Sequence, residues 1–357
     1  MKTPQQGLKI EENVPLAPLT TLSVGGAARF FVRAETEEAV ALAVGFAEEH
    51  DFPLFVLGGG SNVLIADDGF DGLVLQIALK GVETVREKDE TVFLTAGAGE
   101  DWDEFVARAV ARNLAGVECL SGIPGSVGGT PVQNVGAYGQ EVSETIVAVR
   151  VYDRKSRSVL ELANADCRFA YRRSIFNTTE RGRFIVLAVT FALAKDGAPK
   201  IVYRDLREHF GERRPTLTET RDAVCAIRAA KAMLVRQGGA DARSAGSFFK
   251  NPIVTVPEYA SIAARAAALG LDAVPKYAVD ERTVKVPAAW LIEKSGFAKG
   301  YARGPAGLST KHALALVNRG EASARDIVEL KREIQAKVAA LFGVELEPEP
   351  VMIGFKN

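Results

Sequence analysis

The chain has 357 residues and a mass of 38.2 kDa, which is too long for one ordinary domain and enough for roughly two or three separate cores. A hydrophobic fraction of 47% and a charged fraction of 25% exclude a disordered or fibrous chain. Forty-four basic and 45 acidic residues leave a net charge of −1, so no overall field attracts nucleic acid or acidic lipid.

The hydropathy pattern predicts a cytoplasmic protein. No apolar run approaches the roughly 18 residues that a membrane span requires. The segment Met1–Glu11 is polar and lacks the apolar stretch of a signal peptide. Cys119, Cys167 and Cys225 are widely spaced and odd in number, which argues against a disulfide framework and against a zinc site.

The N-terminal part alternates helix and strand signals. Glu37 and Glu38 begin an apolar helical stretch that runs through Phe46, because acidic residues stabilise the first turn of a helix. The other elements predicted before residue 112 are strands at 53–57, 63–65, 73–77 and 92–95 and an amphipathic helix at 102–111.

Blocks of strands and helices then follow one another. Strands are predicted at 146–152, 159–162 and 184–191, and a helix from 218 to about 233. The last third is predicted to be mainly helical, with helices at 257–269, 288–295 and 323–342, the last of them stopped by Gly343. Such segregated blocks indicate an α+β fold rather than one doubly wound sheet.

Glycine is concentrated in one part of the chain, where 15 of the 33 glycines lie between Gly58 and Gly139. Gly58-Gly-Gly-Ser-Asn62 follows a strand, so its backbone N–H groups could form an anion cradle for a diphosphate. A glycine turn at this place is more often structural. The segment is neither the dinucleotide G-x-G-x-x-G motif nor a P-loop, because a strand pattern follows it and no Gly-Lys-Ser/Thr does.

The segment Ser121-Gly-Ile-Pro-Gly-Ser-Val-Gly-Gly129 is more specific. Four glycines and a proline in nine residues disfavour helix and regular strand, so they predict a fixed loop with room for a flat or phosphorylated ligand. Its continuation, Gln133-Asn-Val-Gly-Ala-Tyr-Gly139, adds amides and further glycine. Two such loops without a Rossmann motif predict a flavin held by loops between two small α+β subdomains.

These segments resemble the flavin-binding half of the UDP-N-acetylenolpyruvoylglucosamine reductase family. The resemblance covers roughly residues 16–354 and continues through the motifs Tyr171-Arg172-x-Ser174-x-Phe176, Ala245-Gly-Ser247-Phe-Phe-Lys-Asn-Pro252, Ala289-Trp-Leu-Ile292 and Glu347-Pro-Glu349. It implies a two-part FAD-binding domain of the vanillyl-alcohol-oxidase type and a smaller α+β substrate-binding domain. The implied boundaries are 1–78 and 79–231 for the two FAD-binding parts, 232–343 for the substrate-binding domain and 344–357 for a return to the first part.

The activity that the resemblance implies is NADPH-dependent reduction of UDP-N-acetylenolpyruvoylglucosamine to UDP-N-acetylmuramate, through FAD, for peptidoglycan precursors. Hydride delivery to the vinyl carbon builds negative charge beside the substrate carboxylate, so a cation must hold that carboxylate and an acid must protonate the carbon. By resemblance the cation is Arg172, the acid is Ser247, and Glu349 is a second acid/base and orienting group. Glu347 is its close rival in the same short segment.

The remaining site residues are also assigned by resemblance. Those expected to hold FAD, without a covalent bond, are Gly58, Gly59, Gly60, Ser61, Asn62, Val63, Gly122, Ile123, Pro124, Gly125, Ser126, Gly129, Asn134 and Gly136. Those expected to contact the substrate are Tyr138, Tyr203 as a lid, Lys231, Asn251 and His312. Departures from the family pattern are Arg173, Asn177, the stretch Pro350–Met352 and an insertion from Met233 to Arg243.

Two other functions stay open at this point. Another FAD-dependent oxidoreductase of the same fold, acting on a sugar or an alcohol, would keep the glycine loops but would not need Arg172, Ser247 and Glu349 together. A nucleotide-sugar-binding protein without turnover would need no flavin. The predicted partners are the UDP-sugar and NADPH, with no nucleic acid, no membrane and no metal, for an enzyme that works as a monomer.

Overall fold

Two units, each with its own hydrophobic core, make up the part of the chain that the computed structural model describes, residues 8–234, 239 and 241–355. Of these residues, the first unit takes 8–14, 27–60 and 70–230. The second unit takes 15–26, 61–69 and the described residues from 231 onward. Much of the predicted insertion from Met233 to Arg243 lies outside the described residues.

The first unit is built on two large sheets and a separate pair of short strands. Its strands are β1 (Glu11–Pro15), β2 (Ala27–Ala34), β3 (Leu54–Leu57), β5 (Phe70–Ile77), β6 (Val82–Lys88), β7 (Thr91–Gly97), β8 (Leu114–Ala115), β9 (Gly136–Ala137), β10 (Gln140–Glu141), β11 (Ile146–Asp153), β12 (Ser158–Ala163) and β13 (Phe184–Lys195). One sheet has the order β1-β2-β5-β3, with β5 parallel to both of its neighbours. The other is antiparallel, in the order β12-β11-β13-β7-β6, and β8 also pairs with β13. Strands β9 and β10 pair separately with each other.

Helices cover these sheets because their apolar faces match the sheet surface. The helices of the first unit are α1 (Glu37–Glu49), α2 (Trp102–Ala111), α3 (Arg204–Phe210) and α4 (Leu217–Ala230). Helix α2 starts at Asp101, whose carboxylate accepts from the backbone N–H of Glu104 at 3.0 Å. The rings of Trp102 and Phe105 are fully buried and pack on Phe191 of β13, with centroids 5.8 and 4.8 Å away. Burial of each such ring stabilises the fold by roughly 1.5–3 kcal/mol.

The second unit combines short strands with three helices. Its elements are β4 (Val63–Ile65), β14 (Ile253–Thr255), α5 (Val256–Ala268), β15 (Tyr277–Ala278), β16 (Thr283–Lys285), α6 (Ala288–Lys294), β17 (Ala302–Arg303), β18 (Ala306–Leu308), β19 (Leu316–Asn318), α7 (Ala324–Phe342) and β20 (Val351–Ile353). Strand β20 runs parallel to β4, which joins the C-terminal part of the chain to the segment 61–69. The carboxylate of Asp67, in that segment, accepts from the backbone N–H groups of Ala324 and Arg325 at 2.7 and 3.0 Å and so caps α7.

Most of the predicted elements are present, and their ends follow the capping residues. Helix α2 has the predicted bounds, and α7 begins with the reciprocal bonds between Ser323 and Asp326 and ends at Gly343, whose φ is +70°. The prediction that the last third is mainly helical is wrong, because β14 to β19 form two three-stranded sheets there. Strands of two or three residues are too short to show an alternating pattern. In the described part of the chain, no helix is long and apolar enough to span a bilayer.

Candidate active site

The two glycine segments of the first unit touch each other through their backbones. A Cβ atom on Gly59 would lie 2.7 Å from Cα of Gly125 and 2.9 Å from the backbone N of Ser126. A Cβ atom on Gly58 would lie 2.8 Å from Oγ of Ser126. Real Cβ atoms do not approach backbone this closely, so glycine is needed at position 59 for the two segments to meet, whereas at position 58 the contact is with a side-chain hydroxyl that can rotate away.

Charged side chains hold the loop Ser121–Gly129 at its start. The backbone N–H of Gly122 donates to Oδ1 of Asp103 at 2.6 Å, and its carbonyl accepts from Nε of Arg228 at 3.1 Å. Asp103 also forms a two-pronged pair with Arg221, with N–O distances of 2.6 and 3.0 Å. Burial lowers the pKa of Arg228. Helices α2 and α4 therefore fix both peptide groups of Gly122.

Backbone hydrogen bonds hold the rest of this loop. Trp102 donates from Nε1 to the carbonyl of Leu120 and from its backbone N–H to the carbonyl of Gly125, both at 3.1 Å. Val127 donates to the carbonyl of Glu100 at 2.9 Å, and Val127–Gly129 form a single turn of 3-10 helix. The prediction of a fixed loop without helix thus needs this one correction, because three residues are enough for an i+3 hydrogen bond.

Whether the loop suits a flavin nucleotide can be tested on Ser126. Its hydroxyl oxygen is buried, and among the described residues it has no hydrogen-bond partner. A buried hydroxyl without a partner costs free energy unless a ligand or a water satisfies it. A polar ligand against this loop, such as the diphosphate or ring of FAD, would supply that partner, so the residues present fit the cofactor.

Asn134 has a role inside the protein as well as its predicted role toward FAD. It is 1% exposed, and its Nδ2 donates to the carboxylate of Glu141 at 2.7 Å and to the carbonyl of Ala170 at 3.1 Å. Its Oδ1 accepts from the backbone N–H of Ser143 at 3.2 Å. Asn134 therefore ties the glycine-rich stretch to the turn that carries Arg172, and its contact with the cofactor stays a prediction.

Arg172 lies in a strained turn, with φ at +56°, between Ala170 and Arg173, which pair with each other. Its Nη2 donates to the carbonyl of Gly136 at 2.8 Å. A Cβ on Gly136 would stand 2.8 Å from Cγ of Glu141 and 3.0 Å from the carbonyl oxygen of Gln140, so glycine is needed there for β9 and β10 to pair. Nδ2 of Asn177, one of the departures from the family pattern, donates to the carbonyl of Arg172 at 3.1 Å and holds the turn.

Tyr138 and Tyr203 meet edge to face, with ring centroids 5.4 Å apart. Tyr138 is buried in a small cluster with Cys119, Leu206 and Phe210, and it hydrogen-bonds Arg228. Tyr203 immediately precedes helix α3 and is 43% exposed. The first unit thus places the predicted lid tyrosine on its surface, against a residue of the glycine-rich stretch.

The second unit brings the segments of Ser247 and Glu349 side by side. Phe249 and Pro348 form an antiparallel bridge, and the backbone N–H of Glu349 donates to the carbonyl of Phe248 at 2.9 Å. Ser247 and Glu349 are both partly exposed. The rival residue Glu347 is exposed and forms an ion pair with Lys250. These contacts favour Glu349 over Glu347, because the Glu347 carboxylate is already used at the surface.

Asn62 joins the same region of the second unit. Its Nδ2 donates to the carbonyl of Glu349 at 3.3 Å, and its own carbonyl accepts from the N–H of Val351 at 3.0 Å. Ser61 accepts a long hydrogen bond of 3.5 Å from the hydroxyl of Thr21, and Val63 begins β4. The segment Gly58–Asn62 thus begins with a glycine turn in the first unit, and its last residue, Asn62, supports the Glu349 backbone in the second unit.

His312 and Lys231, both predicted to contact substrate, are electrostatic neighbours. Burial, and to a smaller extent the positive charges of Lys231 and Lys299, together lower the pKa of His312 to about 4. Its Nδ1 accepts from the backbone N–H of Leu314 at 3.1 Å, so at neutral pH the ring is uncharged and its proton is on Nε2. Oδ1 of Asn251 accepts from the N–H of Ala288 at 2.9 Å, which caps α6.

The structure therefore brings the predicted residues together in two sets. In the first unit, Gly58 and Gly59 meet the loop at Gly125 and Ser126, and Arg172 meets Gly136. In the second unit, Asn62 meets Glu349, and Lys231 lies near His312. Sequence reasoning missed the residues that hold the loop, Asp103, Arg221 and Arg228, because nothing in their local pattern indicates what they bind.

Comparison with known proteins adds an independent finding. Residues 238–353 match the family described as UDP-N-acetylenolpyruvoylglucosamine reductase, C-terminal domain, and residues 28–161 match the family described as FAD binding domain. The UDP-N-acetylenolpyruvoylglucosamine reductase of Thermobifida fusca is 48% identical over 96% of this chain and 97% of its own length. That of Streptomyces coelicolor is 49% identical over 96% of this chain and 90% of its own length.

A solved structure is similar along nearly the whole chain. The crystal structure of UDP-N-acetylenolpyruvylglucosamine reductase from Thermus caldophilus superposes with a TM-score of 0.65 at 26% identity, and the match covers 97% of this chain and 99% of that one. Together with the FAD-binding-domain match, this confirms the predicted α+β fold with an FAD-binding domain of the vanillyl-alcohol-oxidase type. The three-part boundaries at residues 78, 231 and 343 stay a prediction.

Proposed function

The chain belongs to the UDP-N-acetylenolpyruvoylglucosamine reductase family, and from this premise we propose which of its residues carry the reaction. The protein is an FAD-dependent oxidoreductase that uses NADPH to reduce UDP-N-acetylenolpyruvoylglucosamine to UDP-N-acetylmuramate for peptidoglycan precursors. The single observation that carries the assignment of residues is the pairing of 248–250 with 347–349, which sets Glu349 beside the residue that follows Ser247.

Each catalytic side chain has a distinct task. The two glycine segments would hold FAD, whose chemistry would be the transfer of hydride from NADPH to the substrate. The Arg172 guanidinium holds the substrate carboxylate, which a planar fork of N–H donors does better than a lysine, and stabilises the charge that develops beside it. The Ser247 hydroxyl gives its proton to the carbon next to that carboxylate, and the Glu349 carboxylate orients the reacting groups and acts as a second acid/base.

The cofactor is held by backbone and small side chains rather than by a covalent bond. The residues proposed for this task are those of the two glycine segments, with Ser126 as the buried hydroxyl that a ligand would satisfy. His50, His209 and His312 all lie outside these segments. Cys119, which flanks one of them, is fully buried, and burial raises the pKa of its thiol. A buried thiol of this kind is a poor nucleophile, so it would not tether the flavin.

Substrate contacts are proposed for Tyr138, Tyr203, Lys231, Asn251 and His312. Lys231 and His312 share one region of the second unit, where a cationic lysine can meet a diphosphate and an uncharged imidazole can donate from Nε2. Tyr203 is exposed, as a lid residue must be before substrate binds. Tyr138 is 8% exposed, so its contribution would be through the lid contact or through the tip of its ring.

The proposed partners are therefore NADPH and the UDP-sugar, without nucleic acid, membrane or metal, and the proposed location is the cytoplasm. A near-neutral net charge of −1 supports the absence of nucleic acid among the partners. We further propose that the enzyme works as a monomer, for which light scattering on the purified holoenzyme is the direct measurement.

The test separates the two half-reactions by the colour of the flavin. We expect Ser247→Ala holoenzyme to bleach with NADPH at the wild-type rate and to recolour with the UDP-sugar about 10²–10⁴ times more slowly, because a general acid is lost. Ser295→Ala is the matched control, since the hydroxyl of Ser295 bonds the carbonyl of Leu291 within its own helix at 2.7 Å. Equal slowing of bleaching and recolouring in Ser247→Ala would contradict the assignment.

The same titration distinguishes the proposed function from that of another oxidoreductase of this fold. An oxidase acting on a sugar or an alcohol would be bleached by that substrate and recoloured by oxygen alone. The proposed function requires bleaching by NADPH and recolouring by the UDP-sugar in the absence of oxygen. Recolouring that depends only on oxygen would contradict it.

A further inference from the structure

The carboxylate of Glu118 is fully buried in the first unit and accepts three hydrogen bonds from three different segments. Its Oε2 accepts from the N–H of Gly116 at 2.7 Å. Its Oε1 accepts from Nε2 of Gln140 at 3.0 Å and from the backbone N–H of Lys200 at 2.9 Å. Such a carboxyl group is tolerated in the interior because its oxygens are satisfied by N–H donors.

Cys119 and Gln140 extend this contact into a closed network. The Cys119 thiol, which burial keeps protonated, donates to the carbonyl of Lys200 with a sulfur–oxygen distance of 3.3 Å. The backbone N–H of Cys119 donates to Oε1 of Gln140 at 2.9 Å. Glu118 and Cys119 thus hold both sides of the Lys200 residue, its N–H and its carbonyl. We call Glu118, Cys119 and Gln140 the Lys200 clamp.

The side chain of Lys200 is held as well. Its Nζ lies 2.8 and 2.7 Å from the two carboxylate oxygens of Glu144, at the protein surface. Exposed ion pairs contribute little to stability, so this contact orients the Lys200 side chain but adds little to the free energy of unfolding. The bonds of Lys200 with Glu118 and Cys119, whose side chains are fully buried, are partly shielded from water and fix the position of the Lys200 backbone.

Lys200 lies three residues before Tyr203, and the residues between them have no regular structure. Three residues span at most about 10 Å, so a fixed Lys200 limits where Tyr203 can stand. After the clamp in the chain, the side chain of Val202 packs on Gly139. A Cβ atom on Gly139 would lie 2.5 Å from Cγ2 of Val202. The next contact is that of the Tyr203 ring with Tyr138.

We propose that Glu118, Cys119 and Gln140 are positioning residues that anchor the segment carrying Tyr203 and thereby set how tightly the UDP-sugar is held. The clamp stands next to the flavin loop in the chain, because Ser121 follows it and donates from Oγ to the carbonyl of Glu118 at 2.6 Å. The loop and the lid segment consequently share one buried support. This inference rests on the proposed role of Tyr203 as a lid.

The experiment compares holoenzymes with Cys119→Ala, Glu118→Gln and Tyr203→Ala. Cys119→Ala removes only the thiol donor to Lys200 and is the milder change, should Glu118→Gln fail to fold. We expect each clamp variant to raise the KM for the UDP-sugar about five- to tenfold, while NADPH bleaches the flavin at the wild-type rate. The matched controls are Cys167→Ala, another fully buried thiol, and Asp153→Asn, another buried carboxylate, and both should keep the wild-type KM.

A double-mutant cycle separates an effect through Tyr203 from a general loss of stability. In the Tyr203→Ala background, adding Cys119→Ala should change KM by less than about twofold, because the residue that the clamp positions is already absent. Fully multiplicative effects would overturn the inference, and so would a Cys119→Ala enzyme that bleaches slowly. If Tyr203→Ala alone leaves KM unchanged, the proposed lid fails and this inference fails with it. If Tyr203→Ala raises KM but neither clamp variant does, only the inference fails.

Discussion

The loop Ser121–Gly129 of the first unit, proposed to bind flavin, and the proposed catalytic segments of the second unit are both irregular, yet they are fixed in different ways. Side chains from α2 and α4 hold the loop Ser121–Gly129, through Asp103 and Arg228 at Gly122. The catalytic segments, 247–251 and 347–349, hold each other through main-chain hydrogen bonds. A loop shaped by distant side chains can be disturbed by a single remote substitution. Segments shaped by their own backbones keep their course when one of their side chains is replaced.

The largest expected effect is that of Glu349→Gln on the rate at which the UDP-sugar recolours the flavin. We expect recolouring by the UDP-sugar to slow by at least about 10²-fold, because the carboxylate proposed as the second acid/base is lost. FAD content and the unfolding midpoint should stay near wild type, because the main-chain bonds of Glu349 do not depend on its side chain. Stopped-flow absorbance and thermal unfolding measure the two quantities. Glu347→Gln is the matched control and should keep the rate. A large loss of stability in Glu349→Gln would contradict the conclusion that main-chain bonds fix this segment.

The next effect is on FAD retention with Gly59→Ala. The added methyl group would meet the backbone of Gly125, which cannot move aside as a side chain would. Overpacking of this kind costs roughly 1–3 kcal/mol, so FAD affinity should fall about 10- to 100-fold. Fluorescence titration of the apoprotein with FAD measures this affinity. Gly45→Ala, in open space on α1, should bind FAD as the wild type does. Normal affinity in Gly59→Ala would show that the two glycine segments can separate without consequence.

A smaller effect is expected from Asp103→Asn, which keeps the shape of the side chain but removes its charge. The two-pronged pair with Arg221 is then lost, and the bond from Gly122 is weakened. We expect FAD affinity to fall about five- to tenfold, with little change in the recolouring rate of the FAD-saturated enzyme. The same FAD titration applies, with Glu37→Gln as the control, because Glu37 pairs with Arg150 away from the loop. Unchanged affinity would mean that the main-chain bonds of the loop suffice.

The last effect, absent above pH 7, is on the free energy of unfolding rather than on rate or FAD affinity, and it acts through His312. Its pKa is about 4 in the folded protein and about 6.5 when unfolded, so below pH 6.5 the unfolded chain takes up the proton first. Stability should therefore fall from pH 6.5 to 4, by about 2 kcal/mol at pH 5 from this residue. Urea unfolding at pH 7 and pH 5 should show a smaller loss for His312→Gln than for the wild type. Equal losses would mean that His312 can be protonated in place.

Local sequence signals were sufficient where the structure is itself local. Helix α7 was predicted to within one residue, because Ser323, Asp326 and Gly343 act on their own turns. The Gly122 contacts could not be predicted, since Asp103 and Arg228 reach that residue from two helices that the sequence does not show to be adjacent. The left-handed backbone conformation of Arg172 could not be predicted either, because arginine has no preference for positive φ. The role of Asn134 inside the protein depends on a turn 36 residues away.

The pairing of β4 with β20 has a consequence for the order of folding. Val63 of β4 pairs with Val351 of β20, 288 residues further along the chain (351 − 63), and among the described residues each strand pairs with no other. Contacts so far apart in sequence are slow to form, because a long loop must close before they stabilise anything. During synthesis, the residues of the first unit are complete by 230, whereas β4 must wait until residue 353 has emerged from the ribosome. The second unit is therefore the last part of the chain to become stable, and until then its segment 61–69 exposes an unpaired strand edge.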